Sequence, residues 1–449
     1  MVSVPIAYSG RRLAGAGRRL AGHPRDAIDH DIHLRTAQHL FEVLGELRGG
    51  AAKLGQIAGI FLSAIPERWA DPNGNDFAQF AGAALTKLQD SVPPMLPGLV
   101  HQVLADNLGS DWRADFREFS DQPAAAASLG QVHRAVWRDG RPVAVKLMYP
   151  GARKAVQADL RLLRGLAGVF GALLPGADMA AIIEMVCACV DGELDYRREA
   201  AHQQMFAEAF AGDPEFAVPA VVAHTDDVIV GDWLSGVPAG RLLTGPDSPE
   251  RSRAGLRVLR FAHQGHRRCG LLYSDIHPGN FLLLPDGRLG VVDFGACGVF
   301  PDGFGQVLFD IGDALYNGTP ETMTTALRTH GFVGPDRDCD AAALLRIGAP
   351  IADVLLHQSF RLSPKWLRRQ VRAIAAMRLT NVFRQMTLPP ELTVVARAVI
   401  TGAGTMCLLH AEGPIRDEFL SWWPELAQVV HRYEQRPAPP QPYPHAVEG

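Results

Sequence analysis

The chain has 449 residues, 47% of them hydrophobic and 20% charged, with a formal charge of −4. That length exceeds a single ordinary core and calls for two or three compact units, while the supply of core formers excludes a disordered or fibrous protein. A net charge this small gives no basis for a nucleic-acid partner.

Residues 1–29 read as a basic N-terminus, flexible in keeping with its glycines. GRRLAG occurs at 10–15 and again at 17–22, so helical spacing would set Leu13 and Leu20 on one face and arginines on another. A helix of that kind lies on an anionic lipid surface, but four glycines favour a solvated segment instead. The short apolar run precedes the arginines, the wrong order for a secretory signal. The chain is therefore expected in the cytoplasm, with any membrane attachment peripheral.

Residues 30–100 form a helical extension in which Leu34, Leu40, Leu44 and Leu47 fall partly in period; Pro66, Pro72, Pro93 and Pro94 punctuate its second half. A further helical piece is expected over about 98–120. The texture then changes, opening a small sheet-containing lobe over 101–235. AAAASLGQVHRAVWRDGRPVAVKLMY alternates around Asp139-Gly140 and predicts a β-hairpin. Val143, Val145 and Leu147 should face one side, Ala144 and Lys146 the other.

Residues 151–211 return to helix, and VIVGDWL at 228–234 reads as a short connecting strand ending at Ser235-Gly236. A larger helical lobe over 236–435 is interrupted by LLYSDIHPGNFLLLPDGRLGVVDFG at 271–295, whose second half reads as two strands around Pro285-Asp286-Gly287. The most membrane-like stretch, 392–409, is broken by Arg397 and reads as a buried helix rather than a span. The tail over 436–449 is rich in Pro and Gln and is expected to be disordered. Six scattered cysteines, Cys187, Cys189, Cys269, Cys297, Cys339 and Cys407, read as small buried thiols, since the close pair Cys187 and Cys189 has no second pair to help hold a metal.

The 271–295 stretch carries the chemistry. A nucleoside triphosphate brings clustered negative charge, and Mg²⁺ neutralises it through a few hard oxygens. Asp275, Asn280 five residues later, and Asp293-Phe294-Gly295 on the next hairpin follow the spacing of phosphoryl-transfer enzymes of the kinase type. Asn280 and Asp293 would ligate Mg²⁺, and Asp275 would orient or deprotonate the nucleophile. Lys146 in VAVK supplies a cation for the phosphates, and Glu199 in the helical stretch ELDYRREAAHQ is its natural carboxylate partner. Gly231, Asp232 and Trp233 lie where a lobe-connecting segment would hold adenine through backbone groups. The apolar frame fixes these polar rotamers and lowers the dielectric around them.

With these residues in place, the chain resembles the UbiB/AarF family of atypical, protein-kinase-like proteins. Lys53-Leu54-Gly55-Gln56 matches its K-x-G-Q motif, and LTKLQDSVPP at 85–94 the segment after it. PAAAASLGQVHRA from Pro123 matches the alanine-rich loop that replaces a glycine-rich one, and Glu193-Leu194-Asp195 matches E-x-D. SDIHPGN and VVDFG complete a resemblance covering roughly residues 30–420.

The resemblance implies an α+β, bilobal, kinase-like fold with a helical extension over the active site. Lys53 and Gln56 would point toward the nucleotide, and Glu193 and Asp195 would hold the extension. The ligands implied are ATP or ADP with Mg²⁺. A covered site speaks against protein phosphorylation and for ATP hydrolysis or transfer to a small lipid-like acceptor, in support of quinone or other prenyl-lipid biosynthesis at a membrane. Anionic lipid, an isoprenoid or quinone precursor and biosynthetic proteins are the implied partners.

A nucleotide-binding switch or scaffold with little catalysis is the alternative reading. A phosphotransferase of the antibiotic or choline type shares the Asp-to-Asn spacing but not the K-x-G-Q and alanine motifs. Methyl groups at Ala124, Ala125, Ala126 and Ala127, leading into Ser128, restrict φ and hold this segment back from phosphates. Two departures from the family pattern stand out: Tyr273 replaces the first histidine of H-x-D-x-H-P-G-N, and Ile276 replaces a common proline.

Overall fold

The computed structural model describes residues 94–127, 129–168, 179–376 and 386–436. It divides into two compact units, Met1–Asp195 with Thr225–Val230, and Tyr196–His224 with Gly231–Gly449. Lys53, Gln56 and Ser128 lie outside the described residues.

In the first unit, helix α1 (Pro97–Leu108) begins on a proline, whose missing N–H is no loss at a helix start. The helix expected over about 98–120 stops there. Gly109, at φ 99°, ends it, and by Phe116 the chain has entered strand β1 (Phe116–Ala127). β1 pairs with β2 (Gly130–Trp137), which pairs with β3 (Pro142–Met148), both antiparallel.

The Asp139-Gly140 turn forms as expected, with Gly140 at φ 98° donating its N–H to Trp137 O at 2.8 Å. Val143, Val145 and Leu147 are fully buried while Ala144 and Lys146 are half-buried, the alternation the sequence predicts. The alanine-rich segment is not a loop. Ala125, Ala126 and Ala127 stand in register opposite Val132, Gln131 and Gly130, through an irregular stretch of β1. Methyl-bearing residues lose little in an extended strand, where glycine would weaken it.

Helices α2 (Ala152–Gly165) and α3 (Met179–Gly192) come next. Val156, Leu160 and Leu163 of α2 and Ile183, Cys187 and Val190 of α3 repeat at helical spacing and meet in one core with Leu129 and Leu194. Each such side chain, fully buried, contributes about 1.5–3 kcal/mol. Strand β4 (Val228–Asp232) begins in this unit, its connection anchored where Arg153 meets Asp227 at 2.8 Å.

The second unit opens with α4 (Tyr196–Ala209). Helix α5 (Pro249–Cys269) carries full end signals: Ser248 accepts from Arg251 N at 3.2 Å, Pro249 is the first helical residue, and Gly270 ends it at φ 73°. It leads directly into strand β5 (Leu271–Tyr273). Strands β6 (Phe281–Leu283) and β7 (Leu289–Val291) form the expected hairpin, with Gly287 at φ 86°, and β8 (Cys297–Val299) pairs back on β5. The core is aromatic: Phe206, Phe210, Phe216, Phe261, Tyr273, Phe281 and Phe294 are all buried together.

Helix α6 (Phe304–Asn317) and others complete the unit, among them α7 (Thr393–Leu408). One face of α7 is buried through Val395, Ala398, Gly402 and Thr405, whereas Val399 and Ile400 are 61% and 45% exposed. The expectation of a buried helix therefore holds for one face only. By length and composition alone, Pro390–Leu408 could cross a membrane, with 39% of the stretch buried.

Three buried or half-buried histidines set a pH dependence. His133 of β2 is fully buried, and burial pushes its pKa below the usual value. On α5, His263 stacks on Trp422 at 4.3 Å and His266 on Phe300 at 3.9 Å. Burial, then the positive charge of His266 and Arg267, holds His263 down to about 4; burial likewise lowers His266. All three bind protons more readily when unfolded, so their contribution is intact above 6.5 and is lost as pH falls through it; for His263 the loss is complete near 4. Urea midpoints should therefore drop between about pH 7.5 and about pH 5. His263→Phe should recover about 1 kcal/mol of that loss, a figure discounted for partial exposure. An unchanged pH slope in the variant would show that His263 is not the titrating group.

Candidate active site

Four of the residues expected in the site, Glu199, Asp275, Asn280 and Asp293, belong to the second unit. β5 delivers Asp275 as it leaves the core: Tyr273 pairs with Cys297, and Ser274 N donates to Ala296 O at 3.2 Å. The next residues close a short turn in which His277 Nδ1 accepts from Gly279 N at 3.1 Å, a structural use of that histidine. This turn brings Asn280 back onto Asp275. Asn280 Nδ2 donates to Asp275 O at 3.1 Å and to Asp275 Oδ2 at 3.3 Å.

Asp293 is reached through β7. Val292 N donates to Asn280 O at 3.0 Å, which puts the backbone before Asp293 against Asn280. Asp293 has φ 65°, a left-handed conformation uncommon outside glycine, and its Oδ1 accepts from Gly295 N at 3.4 Å. A methyl group on Gly295 would stand 3.5 Å from Asp293 Oδ1 and 3.5 Å from Glu199 Oε2, so these two carboxylates flank the same glycine.

α4 accounts for this. Glu199, 2% exposed, and Phe206 lie two turns apart on one face, and Phe206 packs on Phe294 with ring centres 5.1 Å apart. Gln203, between them, donates to Pro219 O at 2.9 Å. Its Nε2 lies only 2.8 Å from where a Cβ on Gly231 would be, so a larger residue there would displace the Gln203 amide. Gly231 and Asp232 end β4, and Trp233 comes directly after.

The carboxylates share a buried, greasy setting. Burial, then the negative charge of Asp275 and Asp293, drives the Tyr273 phenol well above its ordinary pKa; burial, then Asp293 and Glu199, does the same to the Cys297 thiol. Buried negative charge of this kind requires cations. Arg397 of α7 supplies one, its Nη2 3.7 Å from Asp275 Oδ1 with both side chains largely buried.

Among the described residues, no three His, Cys, Asp or Glu side chains group to cage a metal ion by themselves. Asn280 and Asp293 provide side-chain oxygens on apposed backbone, which suits Mg²⁺, an ion that takes one or two protein ligands and leaves other positions to phosphate and water.

Of the other expected residues, Lys146 is half-buried on β3 in the first unit. Ala124, Ala125 and Ala126 are exposed on β1, and Ala127 is half-buried. Glu193 and Asp195 flank buried Leu194 just after α3.

Sequence reasoning missed the role of Tyr273. Its side chain is 1% exposed, and its hydroxyl donates to Val292 O at 2.9 Å, tying β5 to the backbone between β7 and Asp293. The tyrosine thus performs a packing and anchoring role at the position where the family pattern has histidine. Arg397 was visible only as an interruption in an apolar run. A cavity of about 700 Å³ elsewhere in the unit is lined by Leu356, Gln358, Arg416, Asp417 and Glu434 and by none of the residues above; there Arg416 and Glu434 already pair at 2.5 Å.

Comparison with known proteins identifies a family and several relatives. Residues 87–326 match the ABC1 atypical kinase-like domain. The rat mitochondrial atypical kinase COQ8B is 27% identical over 410 residues, 88% of this chain and 72% of that protein. An uncharacterized Synechocystis protein is 33% identical over 314 residues, 67% of this chain, which spans about half (52%) of that relative. Among solved structures, Mycobacterium tuberculosis Rv3197 in complex with erythromycin superposes with a TM-score of 0.62 at 34% identity, covering 90% of this chain and 100% of that one.

Proposed function

The chain belongs to the ABC1 atypical kinase-like family, and from that premise we propose that it is a Mg²⁺-dependent enzyme that binds ATP or ADP. It hydrolyses ATP or passes the phosphoryl group to a small lipid-like acceptor, supporting quinone or other prenyl-lipid biosynthesis at a membrane surface. The observation that carries this reading is the bonding of Asn280 to Asp275 at 3.1 and 3.3 Å while Asn280 O receives Val292 N, one residue before left-handed Asp293.

In this reading Asn280 and Asp293 hold Mg²⁺, which neutralises charge developing on the phosphates. Asp275, restrained by Asn280 and the Arg397 guanidinium, orients the attacking hydroxyl or water. Lys146 takes the phosphates with Glu199 as its partner, and the backbone of Gly231, Asp232 and Trp233 takes adenine; Lys53 and Gln56 complete the site from the extension. These assignments rest on the sequence pattern. Named relatives are mitochondrial or chloroplastic, and a peripheral position on an anionic membrane is the proposal for this chain.

A nucleotide-binding switch with little turnover is the second reading, favoured by the methyl-bearing strand at Ala124–Ala127 where a flexible loop would close on phosphates. Phosphate release by the purified full chain, with and without Mg²⁺, anionic liposomes and phenolic quinone-precursor mimics, separates the two. Turnover supports the enzyme, nucleotide binding without turnover the switch, and no nucleotide binding ends both. Erythromycin, the ligand of the tuberculosis relative, is added as a competitor, since displacement of nucleotide would make a macrolide the ligand of interest. Ala125→Gly with Ala126→Gly should change nucleotide affinity by about tenfold through a freer backbone. Equal affinities by titration would show that the alanines do not tune the site.

A further inference from the structure

Helix α7 is apolar except for a few positions, and three of these recur at four-residue steps: Arg397, Thr401 and Thr405. Side chains at that spacing line one side of a helix. Each meets the segment 274–276 that holds Asp275. Thr401 Oγ1 lies 3.0 Å from Ser274 O and accepts from Ile276 N at 3.3 Å, its single hydrogen divided between Ser274 O and its own helix's Arg397 O at 2.9 Å. Thr405 Oγ1 donates to Ile276 O at 2.5 Å, and Thr405 is 3% exposed. Arg397, one turn before Thr401, reaches the Asp275 carboxylate itself.

Gly402 gives the Ile276 side chain its seat. A Cβ there would lie 3.2 Å from Ile276 Cδ1, and Ile276 is 2% exposed. Opposite α7, the Ser274 hydroxyl and N–H both go to Ala296 O, beyond Asp293. The residues on either side of Asp275 are thus fixed from two directions, by the backbone after Asp293 and by α7. Buried carbonyl and amide groups at Ser274 and Ile276 cannot be left unmet without the segment moving.

We infer that Thr401 and Thr405 are positioning residues that set where the Asp275 carboxylate stands. The inference rests on the reading of Asp275 as the residue that orients the nucleophile. Neither threonine is assigned a nucleotide contact; both act through the backbone on each side of Asp275. A misplacement of about 1 Å in an orienting group lowers a rate by about a hundredfold.

The test uses the full chain with Thr401→Val and Thr405→Val, which keep shape and remove the hydroxyl, and Thr401→Ser and Thr405→Ser, which restore it. Two readouts are taken. Hydrogen exchange over residues 275–280 reads the device without turnover, and should quicken by about tenfold in each valine variant and return to wild type in each serine variant. Mg²⁺-dependent phosphate release reads the consequence: kcat should fall by about ten- to a hundredfold in the valine variants, nucleotide Kd should stay within about twofold, and serine should restore kcat. Wild-type exchange in both valine variants overturns the inference. So does a lowered melting temperature with kcat per folded molecule unchanged, which marks a purely structural role. A wild-type protein without turnover removes the phosphoryl-transfer reading instead, and the exchange arm still decides whether α7 holds the segment.

Discussion

Asp293→Asn is expected to lower Mg²⁺-dependent phosphate release by about a thousandfold or more while the protein stays folded. The two halves of that expectation come from different features of one residue. Asp293 sits at φ 65°, and asparagine is among the few residues that adopt this conformation readily, so the backbone has no reason to shift. An amide oxygen can also still accept the Gly295 N–H, so the local turn survives. What disappears is one negative charge at the proposed metal. Mg²⁺ dehydrates reluctantly and is held by few protein oxygens, so losing the charged one weakens it far more than losing a neutral ligand would.

Asp293→Ala is a poorer probe, since it adds backbone strain to the loss of charge and mixes stability with chemistry. Phosphate release measured against magnesium concentration, beside a urea titration, separates the two effects. Turnover within tenfold of wild type at low magnesium, with an unchanged midpoint, would remove Asp293 from the metal.

Much of the fold was legible because local pattern and packing agree. Val143, Val145 and Leu147 alternate in sequence and are all fully buried, and the Asp139-Gly140 and Asp286-Gly287 turns close where their glycines take positive φ. The spacing of Asp275, Asn280 and Asp293 was legible for a similar reason: a tight turn and a hairpin, both local, bring them together.

The failures trace to contacts that residue-by-residue preference does not carry. The alanine run was expected to be a loop from the family resemblance, yet β2 supplies a partner for each of Ala125, Ala126 and Ala127. The helix beyond Leu108 was extended too far because its end depends on Gly109 and on aromatic packing of Trp112, Phe116 and Phe119. Thr401 and Thr405 gave no signal, since a threonine in an apolar helix ordinarily bonds its own preceding turn. Only the fold reveals that Ser274 and Ile276, more than a hundred residues earlier, lie beside them. Tyr273 read only as a departure from the family pattern, until Val292 O appears at the end of its ring.

The second large effect falls on Gly130, in the alanine-rich motif itself. Its φ is not in the left-handed region, so conformational freedom is not the reason for glycine; close approach is. A Cβ at 130 would lie 1.8 Å from Leu147 O, 2.8 Å from Leu147 C and 3.1 Å from Met148 Cα. All of these are backbone, so no rotamer change relieves them. Gly130→Ala must push β3 away from β2 at the end of their ladder, where Gly130 pairs with Met148 and Gln131 with Leu147. Leu147 and Met148 are buried, so the shift opens the core behind them and carries Lys146 with it.

The expected loss is about 3 kcal/mol or more, confined to the first unit, with nucleotide affinity falling as well if Lys146 binds phosphate. Hydrogen exchange over 130–148 should quicken strongly while exchange over 256–273, in the core of the second unit, should not. The contrast with Ala125→Gly and Ala126→Gly, a few residues upstream, makes the experiment discriminating: added methyls at exposed alanine positions are already tolerated, whereas one methyl at Gly130 meets a strand backbone. Equal exchange and an unchanged urea midpoint in Gly130→Ala would mean that β2 and β3 do not pair in this register, and the placement of Lys146 on the inner hairpin strand would fall with it.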